Sequence, residues 1–157
     1  MRRAPGEAIC DHGPIGFAAR RVQSCRMTVA ERTIAIVDDD RAVGRALCRL
    51  VTLLSCAHAC YASGEAFLAA LDAGDRPCCV VLDLHMSGMS GLDVLERIGS
   101  RGLELPAIVI TGFDQPGLRE KCLAAGACDY LIKPVGMADF AAAIRRATGP
   151  PGTPGRD

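Results

Sequence analysis

TIAIVDDD, residues 33–40, is five residues fit for a β-strand that stop abruptly on three consecutive acids. A strand with one wet face alternates apolar and polar side chains. An unbroken Thr-Ile-Ala-Ile-Val run instead suits a strand buried on both faces, as in a parallel sheet covered by helices. Directly after it, Val43, Leu47, Leu50, Val51 and Leu54 recur at helical spacing, which predicts an amphipathic helix over 41–54. One buried strand, an acidic turn and one amphipathic helix make a βα unit.

The same alternation continues down the chain. Residues 58–62 form a weaker strand, and Ser63 is a fitting N-cap for a helix carrying Phe67, Leu68 and Leu71 that Gly74 and Pro77 stop. CCVVL (78–82) is the second strong buried strand and ends on Asp83. A loop over 87–91 leads to a helix with Leu92, Leu95 and Ile98. Pro106 introduces AIVI (107–110), which ends at Thr111 and Gly112. Asp114 and Pro116 fit the start of a helix running to Ala125, with Gly126 in the usual stop position. YLI (130–132) is a short strand ending at Lys133-Pro134, and a last helix bears Met137, Phe140, Ala141 and Ile144. Five βα units with buried strands predict a doubly wound α/β fold with a five-stranded parallel sheet, because parallel strands need crossover helices.

Composition agrees with a single domain. The chain has 157 residues, half of them hydrophobic, with 4% aromatics and no Trp, so its core is built from Ala, Val, Ile and Leu. A net charge of zero argues against a globally basic nucleic-acid binder, and no apolar run is long enough to span a membrane. Residues 1–26 carry five arginines against Glu7 and Asp11, a composition unlike the rest, and Met27 stands just before the ordered pattern. The expected division is therefore a disordered arm over 1–30, a domain over 31–148, and a Pro/Gly tail over 149–157. The nine cysteines are odd in number, show no CxxC pair and have only three histidines to join them. They read as reduced thiols of a cytoplasmic protein, with no role for His58 or for a Cys56/Cys60 pair.

Four of the five strands end in residues with chemistry: Asp38 and Asp39, Asp83, Thr111, and Lys133. In an open parallel sheet these ends share one edge, where ligands bind. Three uncompensated carboxylates there would repel one another, and a divalent cation such as Mg²⁺ with its all-oxygen coordination resolves the conflict. Lys133 is one of only two lysines, and its ammonium suits a phosphate oxygen. Cation, lysine, hydroxyl and free carboxylate are the parts for phosphoryl transfer to an aspartate, with Asp83 the nucleophile. Neither a Walker A loop nor GxGxxG is present to hold a nucleotide donor.

IAIVDDD, VVLDLHMSGMSG, IVITG and DYLIKP, in this order and spacing, make the chain from about Thr33 to Thr148 resemble the receiver domain of bacterial two-component response regulators, and most of all the FixJ-like and single-domain groups. The resemblance implies a flavodoxin-like (CheY-like) strand order 2-1-3-4-5. It implies phosphorylation of Asp83 by a sensor histidine kinase or a histidine phosphotransfer protein. Asp38, Asp39, Asp83 and the backbone carbonyl of His85 would hold Mg²⁺, and Thr111 and Lys133 would bind the phosphoryl group. Thr111 and Tyr130 would be the switch pair, the Tyr130 ring entering from the solvent side as Thr111 moves, with Pro134 following a cis peptide. Output would pass through protein contact with an unidentified partner or a homodimer, without direct nucleic-acid or membrane binding. The domain would accept and slowly lose its own phosphoryl group rather than turn over a substrate.

Ser87 stands where the family usually has Pro, which implies a looser loop after Asp83. His85 and Phe113 occupy positions that resemble tuners of phosphate loss. The alternatives are a phosphate-independent binding module of the same fold and a truncated receiver of a DNA-binding regulator. An aspartate-nucleophile phosphohydrolase of the haloacid dehalogenase type is disfavoured, because DxDx[TV] would put a second Asp where His85 stands.

Overall fold

Alternate residues of each buried run face opposite sides of the sheet, so each buried strand feeds two cores. The computed structural model describes residues 32–149. Five strands, β1 (Thr33–Val37), β2 (Ala57–Tyr61), β3 (Cys79–Asp83), β4 (Ala107–Thr111) and β5 (Ala127–Ile132), alternate with α1 (Arg41–Leu53), α2 (Gly64–Asp72), α3 (Gly91–Ser100), α4 (Leu118–Ala124) and α5 (Met137–Thr148). All strand pairs are parallel and the order is β2-β1-β3-β4-β5. Ala35, Val37, Val80, Leu82 and Val109 pack against Phe67 and Leu68 of α2, Val94 and Ile98 of α3, and Cys122 of α4. Their strand neighbours Ile34, Ile36, Val81, Ile108 and Ile110 face Leu47 and Val51 of α1 and Phe140 and Ile144 of α5. Unbroken aliphatic strands are thus the consequence of two buried faces.

Local chemistry sets the helix starts. Asp40 caps α1 by accepting from the N–H groups of Ala42 and Val43, and Ser63 caps α2 through Ala66 N–H. Ser90 and Asp93 form a reciprocal capping box on α3. Gly91, the first residue of α3, lies so close to the backbone of Asp83 and Leu84 that a Cβ there would collide with both. Its N–H donates to the Leu84 carbonyl at 3.0 Å, closing the loop that follows β3.

Three expectations are corrected. α4 begins at Leu118, because Gly117 takes a left-handed conformation (φ 80°) and separates the helix from Asp114 and Pro116. β5 starts at Ala127 rather than Tyr130. Asp129 interrupts the apolar pattern there, yet it is buried in the strand and bonded by Arg146 Nε at 3.0 Å. Finally, Cys48 and Cys60 are not free thiols but are joined as a disulfide between α1 and β2. Residues twelve apart on a helix and an edge strand meet only through tertiary packing, which spacing rules for cysteine motifs do not detect. Cys56, Cys78, Cys79, Cys122 and Cys128 are free. The arm expected over 1–30, with Cys10 and Cys25, and residues 150–157 of the tail lie outside the described residues. Among the described residues no helix is long and apolar enough to cross a membrane.

Candidate functional site

Parallel pairing brings the carboxyl ends of β1, β3, β4 and β5 to one edge, and with them the side chains that follow each strand. Carboxylate oxygens of Asp38, Asp39 and Asp83 lie within 4.8 Å of one another, Asp38 and Asp83 being buried and Asp39 exposed. Lys133 reaches across from the end of β5, with Nζ 3.1 Å from Asp38 Oδ2 and 3.2 Å from Asp83 Oδ1. Burial, and then the neighbouring charge of Asp38, push the Asp83 carboxyl above its ordinary value, against the pull of Lys133. Burial alone would lower the Lys133 ammonium, but its bond to Asp38 and the charges of both aspartates outweigh that and raise it. One cation facing three carboxylates leaves excess negative charge on hard oxygen donors, a set able to hold a divalent cation. The Lys133–Pro134 peptide is cis.

Ser87 reverses the expectation of a looser loop. Its N–H and its hydroxyl donate to Asp39 Oδ2 at 2.9 and 3.1 Å, tying the loop after β3 to the turn after β1. Proline at this position has no N–H to give. The backbone bond is the main reason the Asp39 carboxyl sits below its ordinary value. Ser87→Pro is therefore expected to raise the Asp39 pKa measurably in a carboxyl-detected NMR titration, and Ser87→Ala to raise it less. Because the folded pKa is depressed, the stability this bond contributes is present above the ordinary carboxylate range, near 3.9, and is lost as pH falls through the folded value. Equal shifts in the two variants would show that the hydroxyl, not the backbone, holds Asp39.

Thr111 is fully buried at the end of β4. Its hydroxyl donates to the Phe113 carbonyl at 3.1 Å, accepts from the Phe113 N–H at 3.2 Å, and lies 3.1 Å from His85 Nδ1. The exposed Phe113 ring stands edge-on to the His85 imidazole at 6.4 Å. Tyr130 differs from the sequence expectation of a ring waiting on the solvent side. It is 2% exposed, packed in the α2/α3/α4 core, with its hydroxyl donating to Asp114 Oδ1 at 2.8 Å. Burial first, and then this bond, push the phenol well above its ordinary value.

The edge therefore joins Asp38, Asp39, Asp83 and Lys133 directly, with His85 and Thr111 adjoining and Tyr130 set into the core. The sequence offers Asp114 only as the start of a helix and gives Ser87 no donor role. An acid after a turn reads as a helix cap, whereas α4 starts beyond Gly117 and Asp114 accepts from Tyr130.

Family models decide what this edge belongs to. The model of the response regulator receiver domain matches residues 34–145. The chain belongs to the receiver family. The receiver is 40% identical over 122 residues to the response regulator protein TmoT of Ectopseudomonas mendocina, covering 77% of this chain and 54% of that protein. It is 36% identical over 126 residues to the transcriptional regulatory protein FixJ of Azorhizobium caulinodans, covering 78% and 58%. The chain thus spans about half the length of the curated relatives it matches. Among solved structures, FixJ-N superposes on the receiver with a TM-score of 0.69 at 34% identity, covering 74% of this chain and 93% of that one. A response regulator receiver protein from Burkholderia phymatum gives 0.68 at 41% identity, covering 75% and 95%.

Proposed function

We propose that this receiver takes a phosphoryl group onto Asp83 from a phosphohistidine of a sensor kinase or phosphotransfer protein. The observation that carries the reading is Lys133 Nζ, held between Asp38 and Asp83 within a cluster of three carboxylates. An Asp83 carboxylate oxygen forms the new O–P bond as the N–P bond of the donor breaks, and the departing imidazole keeps the electron pair and takes a proton. Asp38, Asp39, Asp83 and the His85 backbone carbonyl are the oxygen donors proposed to hold Mg²⁺. That ion, when bound, supplies positive charge for the phosphoryl oxygens. Lys133 keeps its ammonium protonated through the transfer and donates to one of those oxygens, while Asp38 remains its counter-charge.

Thr111 must leave the Phe113 carbonyl to donate to the phosphoryl group, and that motion is where the signal starts. Phe113, Asp114 and the loop before α4 then lose an anchor, and Asp114 carries the change to Tyr130. Since the ring is already inside, the transition is a rearrangement around Tyr130 rather than an entry from solvent. Turning a mostly inactive population into a mostly active one needs a bias of about 5 kcal/mol. Output then passes through protein contact, in the cytoplasm, to an effector or to a second copy of this chain. A DNA-binding output domain would serve the same signal, and one relative is named a transcriptional regulatory protein, FixJ.

Intact-mass measurement after incubation with a small-molecule phosphodonor tests the reading. One added phosphoryl group, dependent on Mg²⁺, is expected, and no adduct under conditions where Mg²⁺ binding is demonstrated would favour a phosphate-independent binding module. Phe113, edge-on to His85 above the acidic edge, shields the acyl phosphate from water in this reading. Phe113→Ala is expected to shorten the phosphate half-life a few-fold, by the loss of a contact on the order of 1 kcal/mol. An unchanged half-life would remove Phe113 from the mechanism.

A further inference from the structure

A second group of metal-type ligands lies on the other side of β2 from its α2 packing, apart from the acidic edge. His58 and Cys60 are two apart on β2, pair in register with Ile34 and Ile36, and so project to the face that α1 covers. Cys48 meets them from α1. Ligand atoms of Cys48, His58 and Cys60 lie within 4.8 Å of one another, His58 and Cys60 exposed and Cys48 half-buried. The three line an open cavity of about 710 Å³ together with Arg45, Arg49, Thr52 and Leu53.

The backbone indicates what bridges the two sulfurs best. The Cα atoms of Cys48 and Cys60 are 7.6 Å apart. Disulfides usually join Cα atoms about 4.4–6.8 Å apart, with sulfurs about 2.05 Å from each other. Two sulfurs each about 2.3 Å from a tetrahedral Zn²⁺ stand roughly 3.8 Å apart, so a metal bridge suits the wider backbone separation better than an S–S bond. We propose that the reduced Cys48/Cys60 pair and His58 form a three-ligand site for a thiophilic divalent cation, Zn²⁺ above all.

The chemistry balances with a dithiol as reductant. Its two thiols become a disulfide, and their two electrons and two protons pass to the sulfurs of Cys48 and Cys60. Zn²⁺ then displaces those two protons, forms two Zn–S bonds and accepts a lone pair from a His58 ring nitrogen. Two thiolates cancel the charge of the ion, so Arg45 and Arg49 do not oppose binding as they would oppose a bare cation. Their presence on the open side favours water or an anionic group as the fourth ligand. Mixed sulfur and nitrogen donors separate this site from the all-oxygen acidic edge, which suits Mg²⁺.

The 157-residue chain, reduced with a dithiol and freed of it, would be titrated with Zn²⁺, and with Co²⁺ as an optical probe of thiolate ligation. Expected are one tightly bound equivalent, two protons released per ion near neutral pH, and thiolate-to-cobalt absorbance. Cys60→Ser and Cys48→Ser should abolish this absorbance and His58→Ala weaken binding, whereas Asp83→Ala and a Cys10→Ser/Cys25→Ser double variant should retain it. Cys60 is exposed on the edge strand, so Cys60→Ser carries the test if Cys48→Ser fails to fold. Binding that survives Cys60→Ser would overturn the proposal, as would reduced protein that takes up no Zn²⁺ and only re-forms the disulfide with peroxide.

Discussion

Asp83→Asn is expected to take up no phosphoryl group from any donor and yet to unfold at a higher temperature than the wild type when divalent cations are chelated. The two halves of this result have one cause. Asp83 is 6% exposed, and burial together with Asp38 raises its carboxyl above the ordinary value. A raised folded pKa means that its charged form costs stability, and that cost grows as pH rises through the folded value. Asparagine removes the charge and keeps an oxygen to accept from Lys133. The gain at neutral pH should be on the order of 1 kcal/mol, or about 4 °C in melting temperature for a domain of this size. Phosphoryl uptake disappears because an amide oxygen is a poor nucleophile for phosphorus. Adding Mg²⁺ should narrow the difference, since binding stabilises by RT ln(1 + [L]/Kd) and the variant offers a neutral amide oxygen in place of a carboxylate. Loss of uptake together with loss of stability would mean that the substitution damages the fold, and retained uptake would move the phosphoacceptor elsewhere.

Legibility followed burial on both faces. β1 and β3 could be read because Ile34–Val37 and Val80–Leu82 leave no polar interruption, and their ends then placed Asp38, Asp39 and Asp83 without further information. β5 reads short in the sequence because Cys128 and Asp129 break that rule, and Asp129 is satisfied in the strand by the Tyr130 N–H and by Arg146 from α5. Such a partner, seventeen residues away, is set by tertiary packing. The same limit hides the tie of Asp114 to Tyr130, and the meeting of Cys48 with Cys60 and His58 across α1 and β2. Family resemblance misled at one residue: Ser87 departs from the usual proline, and departure suggested slackness. A backbone N–H that proline lacks proved to be a connection, to Asp39. Residue types at strand ends thus carry the site, while the hydrogen bonds that orient them come from packing.

Lys133→Ala should lower both stability and phosphoryl uptake, and its stability loss should depend on pH in a way that packing loss does not. Without the ammonium, Asp38 and Asp83 remain buried with no counter-charge from β5. Breaking a fully buried ion pair costs about 3–5 kcal/mol; with the Lys133 side chain 23% exposed, water recovers part of this, and about 2 kcal/mol is expected at neutral pH without divalent cations. Lys133 pulls the Asp83 carboxyl down, so its loss raises an already raised pKa further. Protonation of Asp83 then relieves the repulsion. The stability gap between variant and wild type should accordingly be widest at neutral pH and close as pH falls through the Asp83 folded value. Urea unfolding across that range reads it directly. Phosphoryl uptake should fall by about 100- to 1,000-fold, the usual effect of losing one preorganised electrostatic donor. Lys133→Arg should restore most of the stability but little of the rate, because the charge returns while the compact ammonium does not. A gap that stays constant with pH would mean that the aliphatic stem of Lys133, rather than its charge, supports the site.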